Sequence, residues 1–201
     1  MLRNPTRRTL LSTVAAAASL ALLPIGAFAL TTDQAKSLIG KLVDQINGII
    51  ASGKSEAAMI KDFEGIFSRN ADVTFIALSA LGPAGRGADK GAVTAYVNAF
   101  QGYISRKYGK RFREFIGGRV EVKEAHPLKS FYEVVSIAYL NGEAPFEVRW
   151  HVSDKSGRNL FFNLIIEGVN MLSAERTEIG AMLDKRGGDI AALAQDLQRA
   201  G

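Results

Sequence analysis

The side chains best suited to acid–base or metal chemistry are few and widely spaced in this 201-residue sequence. Of its two histidines, His126 is predicted in a loop before a proline and His151 on the polar face of a strand. The sequence contains no H-E-x-x-H pair, aspartate-rich calcium loop or glycine-x-serine-x-glycine elbow. The absence of cysteine excludes thiol chemistry. We therefore predict no catalytic residue, no metal site and no cofactor.

Three carboxylates, Glu64, Asp72 and Glu167, lie beside apolar segments. Such residues either form buried acid–base pairs or, more commonly, cap helices and face solvent. The glycine-rich segment 82–87 lacks the Gly-Lys-Ser/Thr ending of a phosphate-binding loop and follows a predicted helix. We interpret that segment as a connector.

A local basic cluster, which we call the basic segment, interleaves with two aromatic residues. Its members are Arg106, Lys107, Lys110, Arg111 and Arg113, with Tyr108 and Phe112 between them. One interpretation is the solvated face of a helix. The other is a surface that meets acidic lipid headgroups or an acidic partner.

Residues 1–29 are predicted to be a cleaved export signal peptide. Arg3, Arg7 and Arg8 precede an alanine-rich apolar run, and Ala27-Phe28-Ala29 fits the small–x–small cleavage pattern. The run is shorter than the roughly 20 residues that span a bilayer, which argues against a retained anchor. The paired arginines favour the twin-arginine route over general secretion. Either route predicts a periplasmic protein.

Residues 30–201 are predicted to form a single domain, since 172 residues can bury a sizeable core without disulfides. Three of the 25 basic residues lie in the predicted signal, which leaves 22 basic against 20 acidic residues, a net charge of +2. This balance does not favour nucleic-acid binding.

Apolar residues recur at helical spacing over the first half of this domain, and strand patterns follow. We predict that the first helix begins at Thr32 with the hydroxyl of that residue as its cap. Further helices are predicted from Ser55, from Asp72 to Gly82-Pro83, and across 93–104, with two terminal helices from Ser173 and Asp189.

Four strands with short connections predict an antiparallel meander, and hence an α+β fold. They are Arg119–Lys123, Phe131–Leu140, Phe146–Val152 and Leu160–Ile166. The third alternates apolar and polar residues, as a half-buried strand does. The fourth is apolar on both sides, so either helices cover both of its faces or it lines a cavity.

Four segments together suggest a family: Ile165–Asn170, Glu175–Ile179, Gly187–Leu193 and the earlier block from Ala71 to Arg86. They resemble the MlaC family of periplasmic phospholipid-binding proteins, also called the toluene-tolerance family, of the maintenance-of-lipid-asymmetry pathway. Phe100 and Tyr108 fall at the family's aromatic helix positions. The sequence departs from the family pattern at Gly85, Asn163 and Asn170, where tryptophan, aspartate and serine are common.

The resemblance implies an antiparallel sheet packed by helices, with an apolar cavity between the layers. It also implies a carrier of phospholipid or a related lipid. Its partners would be an outer-membrane lipoprotein complex and an inner-membrane lipid ABC transporter with an MCE-type ring.

Lipid transport through water requires an apolar interior, because each exposed methylene costs about 0.8 kcal/mol. We expect a pocket of about 300–1,000 Å³. The residues predicted to line it are Tyr96, Phe100, Tyr103, Tyr108, Val135, Ile137, Val148, Trp150, Phe162 and Leu164. Ordinary core packing is the alternative role for each of them.

Two other functions stay open at this point. A small exported hydrolase or isomerase would place an acid–base pair inside a similar pocket. A ligand-free protein-binding module would have a solid core and one exposed apolar patch.

Overall fold

Helices form the first half of the chain and strands most of the second in the computed structural model, which describes residues 30–201 apart from the side chains of Phe112 and Arg113. The predicted export signal, residues 1–29, lies outside the described residues. The helices are α1 (Thr32–Ile50), α2 (Glu56–Asn70), α3 (Val73–Leu81), α4 (Lys90–Arg111), α5 (Met171–Lys185) and α6 (Ile190–Arg199). The strands are β1 (Arg119–Leu128), β2 (Phe131–Tyr139), β3 (Phe146–Ser153), β4 (Leu160–Ile166) and β5 (Val169–Asn170).

Local sequence signals set the helix ends. Helix α1 begins at Thr32 as predicted, but its cap is Thr31, which forms a reciprocal capping box with Gln34. Asp72 caps α3, and Gly82 ends it with a φ of 63°, which suits glycine. The connector prediction for 82–87 is consistent with a short 3₁₀ turn, Gly82–Gly85, between α3 and α4.

The sheet is an antiparallel meander in the order β1-β2-β3-β4-β5. It has five strands rather than the four predicted, because two residues after the turn at Gly168 pair back onto the end of β4. The α+β prediction is confirmed. One side of the sheet, here called the inner face, carries Val134, Val148, Trp150 and Leu164, and the other is the outer face.

Helix α1 packs on the inner face over β1, β2 and β3. Its buried residues Ile39, Leu42 and Ile46 form the apolar stripe that joins helix to sheet. Helix α4 packs between α2 and α6, and α5 contacts α3 and β4. No helix within residues 30–201 is long and apolar enough to cross a bilayer.

Candidate functional site

An apolar cavity of about 30 Å³ lies between the helices and the inner face of the sheet. Its walls come from α1, the end of α4, the turn that follows it and strands β1, β3 and β4. The lining residues are Ile46, Tyr108, Arg111, Phe115, Val120, Val148, Trp150, Leu164 and Ile166. The exposed lining is carbon throughout, so the site offers apolar contact and no buried polar group.

Side chains on the inner faces of β3 and β4 form the floor of the cavity. Trp150 pairs with Leu164 and Val148 with Ile166, so all four side chains share the inner face. The indole N–H of Trp150 donates to Ser136 Oγ at 2.8 Å, and this hydroxyl donates to the carbonyl of Val148 at 3.0 Å. These bonds satisfy the polar atoms of the floor and leave an apolar surface.

A second void of about 10 Å³ continues the cavity inward. It shares Ile46, Trp150 and Leu164 with the first and reaches Phe67 and Phe161. The two voids therefore mark one apolar path through the interior.

Tyr108 connects the cavity to a charged cluster between α4 and α5. Its ring lines the cavity, while its hydroxyl donates to Glu175 Oε1 at 3.2 Å. Lys107 Nζ lies 2.7 Å from the same oxygen and 2.6 Å from Glu178 Oε2. Burial and the charge of Glu175 raise the pKa of Tyr108 well above its usual value, so the phenol stays protonated.

A second polar cluster lies on the outer face of the sheet, away from the cavity. His126 Nε2 is 3.2 Å from Glu133 Oε1, and His151 Nε2 is 3.1 Å from Oε2. Asn163 Oδ1 accepts from the backbone N–H of Leu172 at 3.1 Å, and its Nδ2 lies 3.3 Å from His151 Nδ1. These contacts join four strands, β1 to β4, to the start of α5.

The loop prediction for His126 is wrong, because β1 continues past an irregularity at Val122/Glu124 and pairs His126 with Glu133. His151 does lie on the polar side of β3, yet that side is buried there. Among the described residues no group of three histidine, cysteine or acidic side chains is placed to hold a metal ion.

The three carboxylates singled out from the sequence do not line the cavity. Asp72 Oδ1 accepts from the backbone N–H of Phe75 at 3.1 Å, as a helix cap does. Glu167 is exposed in the turn between β4 and β5.

Four of the ten residues predicted to line a pocket border the cavity, namely Tyr108, Val148, Trp150 and Leu164. Tyr96, Phe100 and Tyr103 instead pack in the helical core, with successive ring centroids 5.8 Å apart. Their helix turns them toward neighbouring helices rather than toward the sheet, and Tyr96 donates its hydroxyl to the carbonyl of Ala77.

Val135 and Ile137, also predicted as lining residues, lie on the outer face and do not border this cavity. Val135 pairs with Arg149 and Ile137 with Glu147, both of which point away from the cavity. Residues of odd number in β2 share the side opposite Val134 and Ser136, because side chains alternate along a strand. Strand β2 is apolar on both sides, so its sequence does not indicate whether the odd-numbered or the even-numbered residues face the helices.

Phe162 also lies on the outer face, although Leu164, two residues later, lies on the inner one. The register between β3 and β4 shifts by one residue at His151/Val152, so that Phe161 turns inward and Phe162 outward. Phe162 then packs edge-on against Phe75 and Phe131.

The cavity is much smaller than the 300–1,000 Å³ expected from the sequence. This volume is large enough to admit water but far too small for an acyl chain. Large side chains occupy the space between the helices and the sheet, where the ring of Phe161 packs edge-on against those of Phe67 and Trp150.

Sequence reasoning missed five lining residues: Ile46, Arg111, Phe115, Val120 and Ile166. Ile46 lies in the apolar stripe of α1, and Val120 is one of the apolar residues that alternate with polar ones in β1, so the sequence indicated that both are buried. Which stripe meets which strand is a property of the packing.

Comparison with known proteins identifies the family. A family model described as MlaC protein matches residues 40–199, and the chain therefore belongs to the MlaC family. The resemblance seen in the sequence is confirmed.

The fold is similar to the solved structure of a phospholipid-binding protein from Ralstonia solanacearum in complex with a phospholipid. The TM-score is 0.68 at 17% sequence identity, and the match covers 82% of this chain and 95% of that chain. At this identity the match establishes a shared fold.

Proposed function

We propose that this chain is a periplasmic carrier that binds a phospholipid, or a related lipid, by its acyl tails and moves it between the outer and inner membranes. The observation that carries the proposal is the wholly apolar cavity between the helices and the inner face of the sheet. Membership of the MlaC family supports it, as does the phospholipid in the structurally similar protein.

The energetics of carriage favour such a site. Two long acyl chains in water cost on the order of 25 kcal/mol, at about 0.8 kcal/mol per methylene. Only apolar walls can offset this cost, and the walls here combine aliphatic side chains with Tyr108, Phe115 and Trp150.

Binding requires the helices and the sheet to separate, because the two voids hold far less volume than an acyl chain. The voids are walled by α1, α2 and α4 on one side and by β1, β3 and β4 on the other. Separation at Ile46, Trp150 and Leu164 joins them into one path. The lipid then stabilises the open arrangement by the difference between its binding free energies for the open and the closed arrangements.

We propose the partners that the family implies: an outer-membrane lipoprotein complex and an inner-membrane lipid ABC transporter with an MCE-type ring. Delivery to the periplasm would use the predicted signal in residues 1–29.

A role in binding rather than catalysis agrees with the cavity's chemistry. The enzyme alternative needs an acid–base pair inside the pocket, whereas Glu175 and Lys107 lie behind Tyr108 and the His151–Glu133 pair lies on the outer face.

One observation favours the second alternative, a ligand-free module that binds a protein. Phe75 and Leu78 of α3 are 46% and 43% exposed, and Phe75 borders an outer-face groove of about 250 Å³ with Phe131 and Phe162. A filled interior beside an exposed apolar patch is what that function predicts.

Native mass spectrometry separates the two functions. We expect the purified chain to carry lipid at near one-to-one stoichiometry, and we expect Val148→Phe, which fills the cavity, to reduce that load several-fold. Ile137→Phe is the matched control, since Ile137 lies on the neighbouring strand but on the outer face. Circular dichroism checks that each variant is folded.

A chain that holds no lipid and takes up none from phospholipid vesicles would contradict the carrier function. If Val148→Phe and Ile137→Phe lowered the load equally, the lipid would not occupy the cavity described above.

A further inference from the structure

Arg111 is the charged member of the cavity lining and stands where the cavity reaches solvent. Seven of the nine lining residues are buried and Ile166 is half-buried, whereas Arg111 is exposed. Because the lining is carbon throughout, Arg111 contributes its methylene stem to the wall. Its guanidinium group therefore extends past the mouth into solvent, as long basic side chains on apolar surfaces do.

Other members of the basic segment are already bound to the protein. Arg106 Nη2 donates to the carbonyls of Ala200 and Leu197 at 2.7 and 2.8 Å. Lys107 pairs with the acidic residues of α5, and Lys110 donates to the carbonyl of Gly201. These three residues hold α4 against α5 and the end of the chain.

Arg111 differs from these neighbours in the part of the chain that the structure describes. Its guanidinium forms no hydrogen bond and no ion pair with another described residue. Arg111 lies in the last turn of α4, at the negative end of the helix dipole, which stabilises any cation placed there. The five donors of the guanidinium group are thus free to meet an anion at the mouth.

We propose that Arg111 binds the phosphate diester of a bound lipid and makes the cavity selective for lipids that carry one. The inference rests on the proposed carrier function. A lipid whose tails lie in the cavity leaves its headgroup at the mouth, where the first charged group beyond the tails and their ester linkages is the phosphate. Arginine binds phosphate through two parallel N–H···O bonds, whereas lysine acts as a point charge.

The test compares two lipids that share the dioleoylglycerol core, of which only one carries a phosphodiester headgroup. The full chain is incubated with equal amounts of dioleoylphosphatidylglycerol and dioleoylglycerol, and native mass spectrometry gives the ratio of the two bound lipids. We expect the wild-type chain to favour the phospholipid and Arg111→Gln to lower that ratio about tenfold, the effect of losing one charged hydrogen-bond partner. Arg111→Lys should retain part of the preference.

Lys90→Gln is the matched control. Lys90 is exposed at the other end of α4, about 30 Å away at 1.5 Å per residue, and the substitution removes the same charge. We expect it to leave the ratio unchanged.

Failure of the inference and failure of the carrier function give different results. A wild-type chain that binds both lipids equally, or an Arg111→Gln chain with the wild-type ratio, overturns the role of Arg111 and leaves the carrier function intact. A wild-type chain that binds neither lipid overturns both.

Calorimetric titration with inorganic phosphate distinguishes the headgroup from free phosphate. Binding of inorganic phosphate that Arg111→Gln abolishes, without any change in the lipid ratio, would overturn the headgroup assignment. Absence of such binding supports it.

Discussion

Lys107 reaches from α4 to two acidic residues of α5, and one of them, Glu175, has no exposed surface. Oε1 of Glu175 accepts from Lys107 and Tyr108, while Oε2 accepts no hydrogen bond from the described residues. A buried carboxylate with so few donors depends strongly on its cation. Partial burial opposes ionisation of Glu178, but hydrogen bonds from Lys107 and Tyr103 outweigh it and hold the pKa of Glu178 below its usual value.

We predict that Lys107→Met lowers the free energy of unfolding at pH 7 by about 3 kcal/mol, because it leaves Glu175 charged and unpaired. The lowered pKa of Glu178 means that its ion pair stabilises the fold above the pKa of the unfolded state. That stabilisation disappears as the pH falls through the lower pKa of the folded state. The difference between wild type and variant should therefore shrink in acid, as urea unfolding at pH 7 and pH 4 would measure.

The double variant Lys107→Met/Glu175→Gln should recover part of the loss, since the neutral amide still accepts from Tyr108. Lys41→Met, at an exposed position of α1, is the control and should change stability little. A Lys107→Met chain as stable as wild type would contradict the dependence of the fold on this ion pair.

At the scale of elements, a single side chain joins α1 to the edge of the sheet. Asn47 donates to the carbonyl of Val120 and accepts from its backbone N–H, both at 2.9 Å. Strand β1 pairs with β2 on its other side, so these bonds replace a missing neighbour strand. They also set the distance between α1 and Val120, which both border the cavity.

We predict that Asn47→Ala lowers the free energy of unfolding by about 2 kcal/mol, because two partly buried backbone groups lose their partner. Amide hydrogen exchange at Val120 should become faster. Gln45→Ala, exposed on the same helix, is the control. Unchanged exchange at Val120 would contradict the proposed link.

The element scale is also where prediction from sequence reaches its limit. The starts of α3 and α6 were predictable because the side chains of Asp72 and Asp189 accept hydrogen bonds from backbone N–H groups in the first turn of each helix. Such local bonds do not depend on how the helices pack. The face of Phe162 depends on a one-residue register shift between two strands. Nothing in β4 alone indicates that shift, because Phe161 and Phe162 are equally apolar.

For the whole molecule, the first described residue is anchored to the body of the domain. Leu30 is buried, and its backbone nitrogen donates to Asp154 Oδ2 at 2.8 Å. Cleavage after Ala29 would convert this nitrogen into an ammonium group. The predicted processing step would thus replace a hydrogen bond by an ion pair with Asp154.

We predict that exported protein begins at Leu30, which the mass of the intact chain would show. Asp154→Asn should lower the free energy of unfolding of the chain that begins at Leu30 by about 2 kcal/mol at pH 6.5. In the uncleaved chain the loss should be about 1 kcal/mol, since only a neutral donor faces Asp154 there. An equal loss in both chains would contradict the ion pair, and a different first residue would contradict the cleavage site.

The α+β class, the order of helices and strands and the meander could be predicted from the sequence, because capping residues, turn residues and the spacing of apolar residues act over a few neighbouring positions. The resemblance to the MlaC family was also visible in the sequence. Which residues border the cavity could be known only from the packed structure. The alternation of side chains along β2, the bulge at Phe162 and the rotation of α4 turn Val135, Phe162 and Tyr103 away from the cavity. The packing of the helices on the sheet brings Ile46 and Arg111 to it. Those outcomes depend on how whole elements pack, and side chains equally apolar on both faces leave that choice to the packing.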